Sequence, residues 1–125
     1  MIHLDTSYLI RALVRGSPAD RQLRAWLAED TVVAISVPAW AEFLCGPVEV
    51  SHVALATRIV GDPVPMIPID ASATARLFNL GGRRRGSFVD CMIAAIALRM
   101  SATLATGNPA DFRRLRPGGL SILAS

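Results

Sequence analysis

The hydrophobic positions of this chain form short apolar runs separated by longer stretches with helical spacing. The runs are rich in β-branched residues and bounded by Gly, Pro or acidic residues, which is typical of buried strands. They predict strands at 1–4, 31–36, 103–106 and 120–123, and a weak edge strand at 66–69. Helices between such strands predict a single α/β domain over residues 1–125, with a central parallel sheet of four or five strands sandwiched by helices.

Apolar residues spaced three and four apart predict the helices themselves. The first follows Asp5 and stops at Gly16, and the second opens at Ser17-Pro18, with Pro at its first position. Further helices are predicted at 38–45, 48–60 and 70–80, with a one-turn helix after the strand at 103–106.

The most informative helix covers 87–98, where every residue after Asp90 is apolar. A helix that is apolar all round is buried in the middle of a fold. Asp90 in its first turn has two readings. It forms a capping box with Ser87, or it is a carboxylate held rigidly at the mouth of a site.

Composition narrows the classes of function. The 13 basic residues are all Arg, and the formal net charge is +3. The absence of Lys excludes a P-loop and any Schiff-base mechanism, and a basic, Arg-rich chain favours a polyanionic partner. A hydrophobic content of 52% is high for a small monomer, so we expect a self-association face or a protein partner. Part of the helices at 38–45 and 48–60 is expected to form a homodimer contact.

The sequence shows neither a membrane span nor a signal peptide, which bears on the cellular compartment that we expect. No apolar run reaches the ~20 residues of a membrane span, and Asp5 and Arg11 interrupt any signal-peptide core. Cys45 and Cys91 lie in apolar surroundings and are expected to be core residues of a reducing compartment. We therefore expect a cytoplasmic protein without a membrane anchor.

Four acids fall where a parallel sheet places its ligands, outside the carboxyl ends of the strands. They end a strand or lie in the first turns of a helix at that edge: Asp5, Glu42, Asp90 and Asp111. Each could instead cap a helix, and Asn108 with Asp111 is itself a possible capping box. Glu42 is the hardest to explain in that way, because apolar residues surround it in the sequence.

Four clustered carboxylates cannot all stay ionised without cations. His3 and His52 are expected to be structural, so the ligands are oxygens, which select Mg²⁺ or Mn²⁺. Such sites perform phosphoryl chemistry. The loop at 81–86 carries Arg83, Arg84 and Arg85, which either bind a phosphodiester backbone or are solvated surface.

These residues resemble the four acidic motifs of the PIN domain, in the family's order. The motifs are Asp5-Thr6-Ser7, Glu42 in an apolar helix, the stretch from Asp90 to Ala95, and the stretch from Thr106 to Phe112. The size of the chain resembles the VapC-type toxins of bacterial toxin–antitoxin pairs. The resemblance implies a Mg²⁺-dependent endoribonuclease that acts on RNA, is silenced by a VapB-type antitoxin, and forms a homodimer.

The resemblance also implies roles for particular residues. Asp5, Glu42, Asp90 and Asp111 would be the catalytic, metal-binding acids, supported by Thr6, Ser7, Thr106 and Asn108. Many relatives carry an acid where this chain has Asn108, which lowers the charge of the site and leaves one metal or two as alternatives.

Other classes fit the chain less well. A haloacid-dehalogenase-like phosphatase needs an Asp where Ser7 stands, and both it and a response-regulator receiver need a Lys. An inactive PIN-like binding module and a structure-specific DNA nuclease remain as alternatives. A binding module would not need all four acids, and the DNA nucleases usually have longer chains.

Overall fold

The computed structural model describes residues 1–124, within which the chain forms four strands and seven α-helices. The strands are β1 (Ile2–Leu4), β2 (Val33–Ala34), β3 (Thr103–Thr106) and β4 (Ile122–Ala124). The helices are α1 (Thr6–Ala12), α2 (Pro18–Ala28), α3 (Val37–Cys45), α4 (Val50–Val60), α5 (Pro68–Leu80), α6 (Phe88–Arg99) and α7 (Ala110–Arg113), and a 3₁₀ turn covers Arg116–Gly118. The predicted α/β architecture is confirmed.

The strands form one parallel sheet in the order β2-β1-β3-β4. The chain leaves β1 towards one side of the sheet, to β2, and leaves β3 towards the other side, to β4. The carboxyl ends of β1 and β3 therefore flank the point where the winding direction reverses, which is where open α/β sheets bind ligands. Asp5 follows β1 at this point and Gly107 follows β3.

Helix α6 forms the centre of the fold, as its apolar sequence predicts. Six of its residues are at most 1% exposed: Cys91, Ile93, Ala94, Ala95, Ile96 and Ala97. It packs against α3, α5, α7 and β3. Among residues 1–124, none of the helices, α6 included, combines the length and hydropathy needed to cross a bilayer. Because α6 leads directly into β3, its first turn lies near the carboxyl ends of the strands, so Asp90 faces the switch point.

The predicted strand at 66–69 is wrong. Pro68 begins helix α5, and the Asp70 carboxylate accepts a hydrogen bond from the Ile67 backbone amide at 2.9 Å. Pro at the first helical position and an acid two residues later stabilise a helix start. The extended pairing in this region is limited to a single bridge between Ser36 and Val64.

The two cysteines differ, which corrects half of the prediction made for them. Cys91 is completely buried in α6, but Cys45 is exposed at the end of α3. The sequence around Cys45 is apolar because α3 and α4 present apolar side chains to solvent. Leu44, Val50 and Leu55 are 48%, 87% and 44% exposed. This surface is the excess apolar area that the composition predicts.

Candidate functional site

Asp5 is fixed at the end of β1 by both backbone and side-chain bonds. Its amide donates to the Ala105 carbonyl at 2.8 Å, which ties it to β3. Its carboxylate is 6% exposed and accepts hydrogen bonds from the hydroxyls of Ser7 (2.7 Å) and Thr106 (3.0 Å). Helix α1 has no side-chain cap bond, so Asp5 does not act as a capping residue.

The two hydroxyls that hold Asp5 are themselves oriented by the loop after β3. Ser7 Oγ accepts from the Gly107 amide at 2.9 Å, and Thr106 Oγ1 accepts from the Asn108 amide at 3.0 Å. A hydroxyl oxygen can accept hydrogen bonds and also donate its one proton. In Ser7 and Thr106 the oxygen accepts from a backbone amide, and the proton is donated to Asp5. Ser7 and Thr106, two of the predicted supporting residues, thus both contact the Asp5 carboxylate. Asn108 contributes through its backbone, while its side chain is exposed.

Glu42, on helix α3, lies close to Asp5. The helix begins after Ser36, whose hydroxyl accepts from the Ala39 amide at 3.4 Å. Thr6 Oγ1 connects α1 to α3, donating to the Ala39 carbonyl at 2.8 Å, and it lies 3.3 Å from Glu42 Oε1. Partial burial of Glu42 and then the charge of Asp5 raise the pKa of its carboxyl group, while the Thr6 contact opposes the rise.

Asp90 is half-buried in the first turn of α6, and the predicted capping box does not form. The Ser87 hydroxyl donates to the Arg84 carbonyl at 2.7 Å, and α6 has no side-chain cap bond. Burial raises the pKa of Asp90 to about 7, with the charges of Asp5, Asp111 and Glu42 adding to the rise. Folding thus holds this carboxyl group where ionisation is unfavourable.

Three of the four predicted acids meet. Ligand oxygens of Asp5, Glu42 and Asp90 lie within 4.8 Å of one another. Asp111, on α7, is close enough to raise the pKa of Asp90 and lines a cavity of ≈110 Å³ beside it. In the described chain, however, Asp111 lies outside the group of three. A divalent cation fits this cluster, because the donors are carboxylate oxygens and a cation would relieve their mutual repulsion.

The three arginines of the loop take different positions. Arg84 and Arg85 line the ≈110 Å³ cavity with Asp90 and Asp111, and the charge of Arg84 opposes the rise in the pKa of Asp90. Arg83 instead packs over the ring of Phe78, with its guanidinium carbon 5.3 Å from the ring centroid. The three arginines are consecutive in the sequence, but in the fold only Arg84 and Arg85 lie at the acidic site.

A family model of the PIN domain matches residues 2–116. The chain belongs to the PIN domain family. The membership predicted from four short motifs is therefore confirmed, and three of the four motif acids are the residues that the fold brings together.

Solved structures share the fold of this PIN domain. VapBC2 from Rickettsia felis has a TM-score of 0.80 at 21% identity, over 100% of this chain and 99% of the other. FitAcB from Neisseria gonorrhoeae gives 0.71 at 24% identity, covering 98% and 96%, and VapBC-1 from nontypeable Haemophilus influenzae gives 0.69 at 22% identity, covering 99% and 98%. At these identities the likeness concerns the fold.

Sequence reasoning missed two neighbours of the site in this PIN domain, Gly107 and Arg11. A Cβ atom added to Gly107 would lie 2.7 Å from Arg11 Nε and 3.0 Å from Arg11 Cζ. The glycine thus lets Arg11 of α1 lie directly against the loop whose amides orient Ser7 and Thr106. A glycine placed immediately after a strand end is a signal for such a close approach.

Proposed function

We propose that this PIN domain is a Mg²⁺- or Mn²⁺-dependent endoribonuclease that acts as the toxin of a toxin–antitoxin pair. The observation that carries the proposal is the convergence of Asp5, Glu42 and Asp90 on a volume that one divalent cation would fill. None of these side chains makes a helix-capping hydrogen bond, so capping does not explain why the three acids cluster. Ionised together and without a cation, the three would repel one another.

Different residues of the site would have different roles in phosphodiester hydrolysis. Asp5, Glu42 and Asp90 would hold the metal, with Asp111 at the margin of the site. A divalent ion in such a site activates water and stabilises the charge that develops on the phosphate oxygens. Ser7 and Thr106 keep Asp5 in place, which limits the motion of the cluster. Arg84 and Arg85 supply the positive charge that binds the RNA backbone beside it.

The direct test is cleavage of single-stranded RNA by the purified protein in Mg²⁺, followed by the same assay in excess EDTA. We expect cuts in RNA that disappear with EDTA and return with Mg²⁺ or Mn²⁺, because the carboxylates need a cation to act. Single-stranded and branched DNA of matched sequence serve as comparison substrates. Cleavage of DNA alone would identify a DNA nuclease. Binding of RNA without cleavage in either metal would identify an inactive module.

A surface next to the acids suits the antitoxin that the proposal requires. Helices α1, α3 and α4 enclose an open cavity of ≈500 Å³ that is lined by Glu42 and by apolar side chains, including Ile10, Val14 and Phe43. Ile10 and Val14 are 53% and 60% exposed. An apolar segment of the antitoxin would fill this cavity, and an Arg from it would enter the carboxylate cluster. Inhibition that does not weaken as Mg²⁺ is raised would contradict such an Arg-for-metal exchange.

We also propose a homodimer, which would cover part of the apolar surface of α3 and α4. Leu44, Val50 and Leu55 are exposed apolar side chains on or next to these helices, and exposed apolar surface is typical of protein–protein contacts. Light scattering of the free protein measures its mass directly, and a monomer at micromolar concentration would contradict the dimer.

Because only Arg84 and Arg85 lie at the acidic site, we expect these two to determine how RNA binding depends on salt concentration. Changing Arg84 and Arg85 to Ala should lower the slope of log affinity against log salt by about 1.4 on single-stranded RNA, since two phosphate contacts are lost. The matched control is the double change of Arg24 and Arg58 to Ala, which removes the same charge from exposed positions on α2 and α4. An equal change of slope in both variants would mean that the loop acts only through net charge.

A further inference from the structure

Arg11 packs directly against Gly107 in the loop that follows β3. A Cβ atom at position 107 would lie 2.7 Å from Arg11 Nε, 3.0 Å from Cζ and 3.1 Å from Cδ. Apart from the neighbours of Gly107 in the chain, no described residue has an atom closer to that point. Gly107 is buried, although Arg11 itself is exposed. The end of the Arg11 side chain therefore covers the Gly107 backbone and separates it from solvent.

The covered backbone takes part in the hydrogen bonds that hold Asp5. The Gly107 amide donates to Ser7 Oγ at 2.9 Å, and Ser7 Oγ donates to Asp5 Oδ2 at 2.7 Å. Ser7 Oγ also lies 3.3 Å from Thr106 Oγ1, which donates to the same carboxylate oxygen. Gly107, Ser7 and Asp5 thus form a short hydrogen-bonded chain from the loop to the acidic cluster, which we call the Asp5 support.

Helix α1 brings Arg11 to the Asp5 support. Ser7 and Arg11 are four residues apart in this helix, so they lie on the same face of it. The Arg11 carbonyl accepts hydrogen bonds from Ser17 Oγ at 2.7 Å and from the Val14 amide at 3.1 Å, which fix the backbone from which the side chain extends. A guanidinium is planar and more weakly hydrated than an ammonium group, so it can lie flat against a backbone that carries no side chain.

We propose that Arg11 is a positioning residue for the metal site, and that it acts by covering the Gly107 amide. A hydrogen bond is stronger where water is excluded, because water competes for the donor and for the acceptor. Under the cover of Arg11 the Gly107 amide stays bonded to Ser7, and the Ser7 proton stays directed at Asp5. This inference rests on the proposed metal-dependent function and adds a residue that acts on the site without contacting the cation.

The first test is hydrogen exchange of individual backbone amides in EDTA, measured by NMR. Arg11→Ala should make the Gly107 amide exchange about tenfold faster, the factor that corresponds to the net stabilisation from one hydrogen bond. The Leu104 amide, which donates to the Ser121 carbonyl at 2.9 Å within the sheet, should exchange as it does in the parent. Equal acceleration of both amides would mean a general loss of stability and would overturn the positioning role.

Calorimetric titration with Mg²⁺ tests whether the Asp5 support serves the metal site. Arg11→Ala should weaken Mg²⁺ binding about tenfold, at the lower end of the range for groups that orient metal ligands. Gly107 has no positive φ, so Gly107→Ala is compatible with the backbone, and its new methyl group would displace the Arg11 side chain. This variant should weaken binding to a similar degree. The double variant should bind no more weakly than the weaker single variant, because both changes remove the same contact.

The matched control is Arg15→Ala, which removes the same charge from an exposed position after α1 and should bind Mg²⁺ as the parent does. Parental Mg²⁺ affinity for Arg11→Ala, or a loss of about a hundredfold in the double variant, would overturn the positioning role and leave the proposed function intact. Weaker RNA binding by Arg11→Ala in EDTA with parental Mg²⁺ affinity would make Arg11 an RNA contact and would also overturn that role. A parent protein that binds neither Mg²⁺ nor Mn²⁺ would overturn the proposed function and the positioning role together.

Discussion

Replacing Asp90 with Asn should reduce Mg²⁺-dependent RNA cleavage by more than about 100-fold while the protein stays folded. Loss of groups that merely orient metal ligands costs 10- to 100-fold, so loss of a direct ligand should exceed that range. Asn has nearly the shape of Asp but lacks the charge that a cation needs. The fold does not depend on this carboxylate, because α6 has no side-chain cap bond and Ser87 donates elsewhere.

The control for this prediction is Glu29→Gln, which removes one negative charge from an exposed position after α2. It should cleave RNA at the parental rate. Circular dichroism and thermal unfolding should show both variants folded. Asp90→Asn could lose activity because it no longer binds Mg²⁺ or because it binds Mg²⁺ but does not cleave. Calorimetric titration with Mg²⁺ separates these two cases, because replacing a metal ligand weakens the affinity for the ion. Parental cleavage by Asp90→Asn would remove Asp90 from the site.

Topology is the part of the candidate site that the sequence predicts. In a parallel sheet the residue after a strand and the first turn of a returning helix share one edge, so the sequence predicts Asp5, Glu42, Asp90 and Asp111 together. The fold brings the first three within 4.8 Å of one another. What the sequence could not provide is distance. Asp111 follows the correct strand, yet the one-turn helix α7 holds it at the margin of the cluster. The conformation of residues 107–110, between β3 and Asp111, determines the position of Asp111, and hydrophobic periodicity does not describe that conformation.

The remaining differences arise where one pattern fits two structures. The pattern Ile67-Pro68-Ile69 fits an edge strand or a helix start, and the hydrogen bond that the Ile67 amide donates to the Asp70 carboxylate favours the helix. The basic run reads as one surface, but the cation–π contact with Phe78 withdraws Arg83 from it. Both decisions depend on side-chain contacts between residues three to five positions apart, which hydrophobic periodicity does not describe.

The metal-free protein should gain stability from Asp90→Asn, and the gain should grow as the pH rises. Burial and the neighbouring carboxylates raise the pKa of Asp90 from its ordinary value of 3.8 to about 7. The folded protein therefore binds this proton more tightly than the unfolded chain does. Between these two values, ionisation of Asp90 increasingly opposes folding, so its contribution to the free energy of unfolding falls as the pH rises, and the penalty is complete above about 7.

We expect Asp90→Asn to be more stable than the parent at pH 8 by on the order of 1–2 kcal/mol, after allowance for solvent screening of a half-buried group. At pH 5 most of this difference should have disappeared. The parent alone would not reveal the effect, because His3 acts in the opposite direction. Burial lowers the pKa of His3 to about 4, with the positive charges of Arg99 and the N-terminus adding to that, so acidification below 6.5 destabilises the fold.

Comparing the two proteins cancels the contribution of His3, since both contain it. The measurement is urea unfolding in EDTA at pH 5, 6, 7 and 8, with the difference in unfolding free energy plotted against pH. Saturating Mg²⁺ should reverse the order at pH 8, because a bound cation stabilises only the folded parent. A difference that does not change with pH, or a parent that is more stable than Asp90→Asn at pH 8 in EDTA, would show that neither burial nor the neighbouring carboxylates disfavour the ionised form of Asp90. The cluster would then have no electrostatic need for a cation.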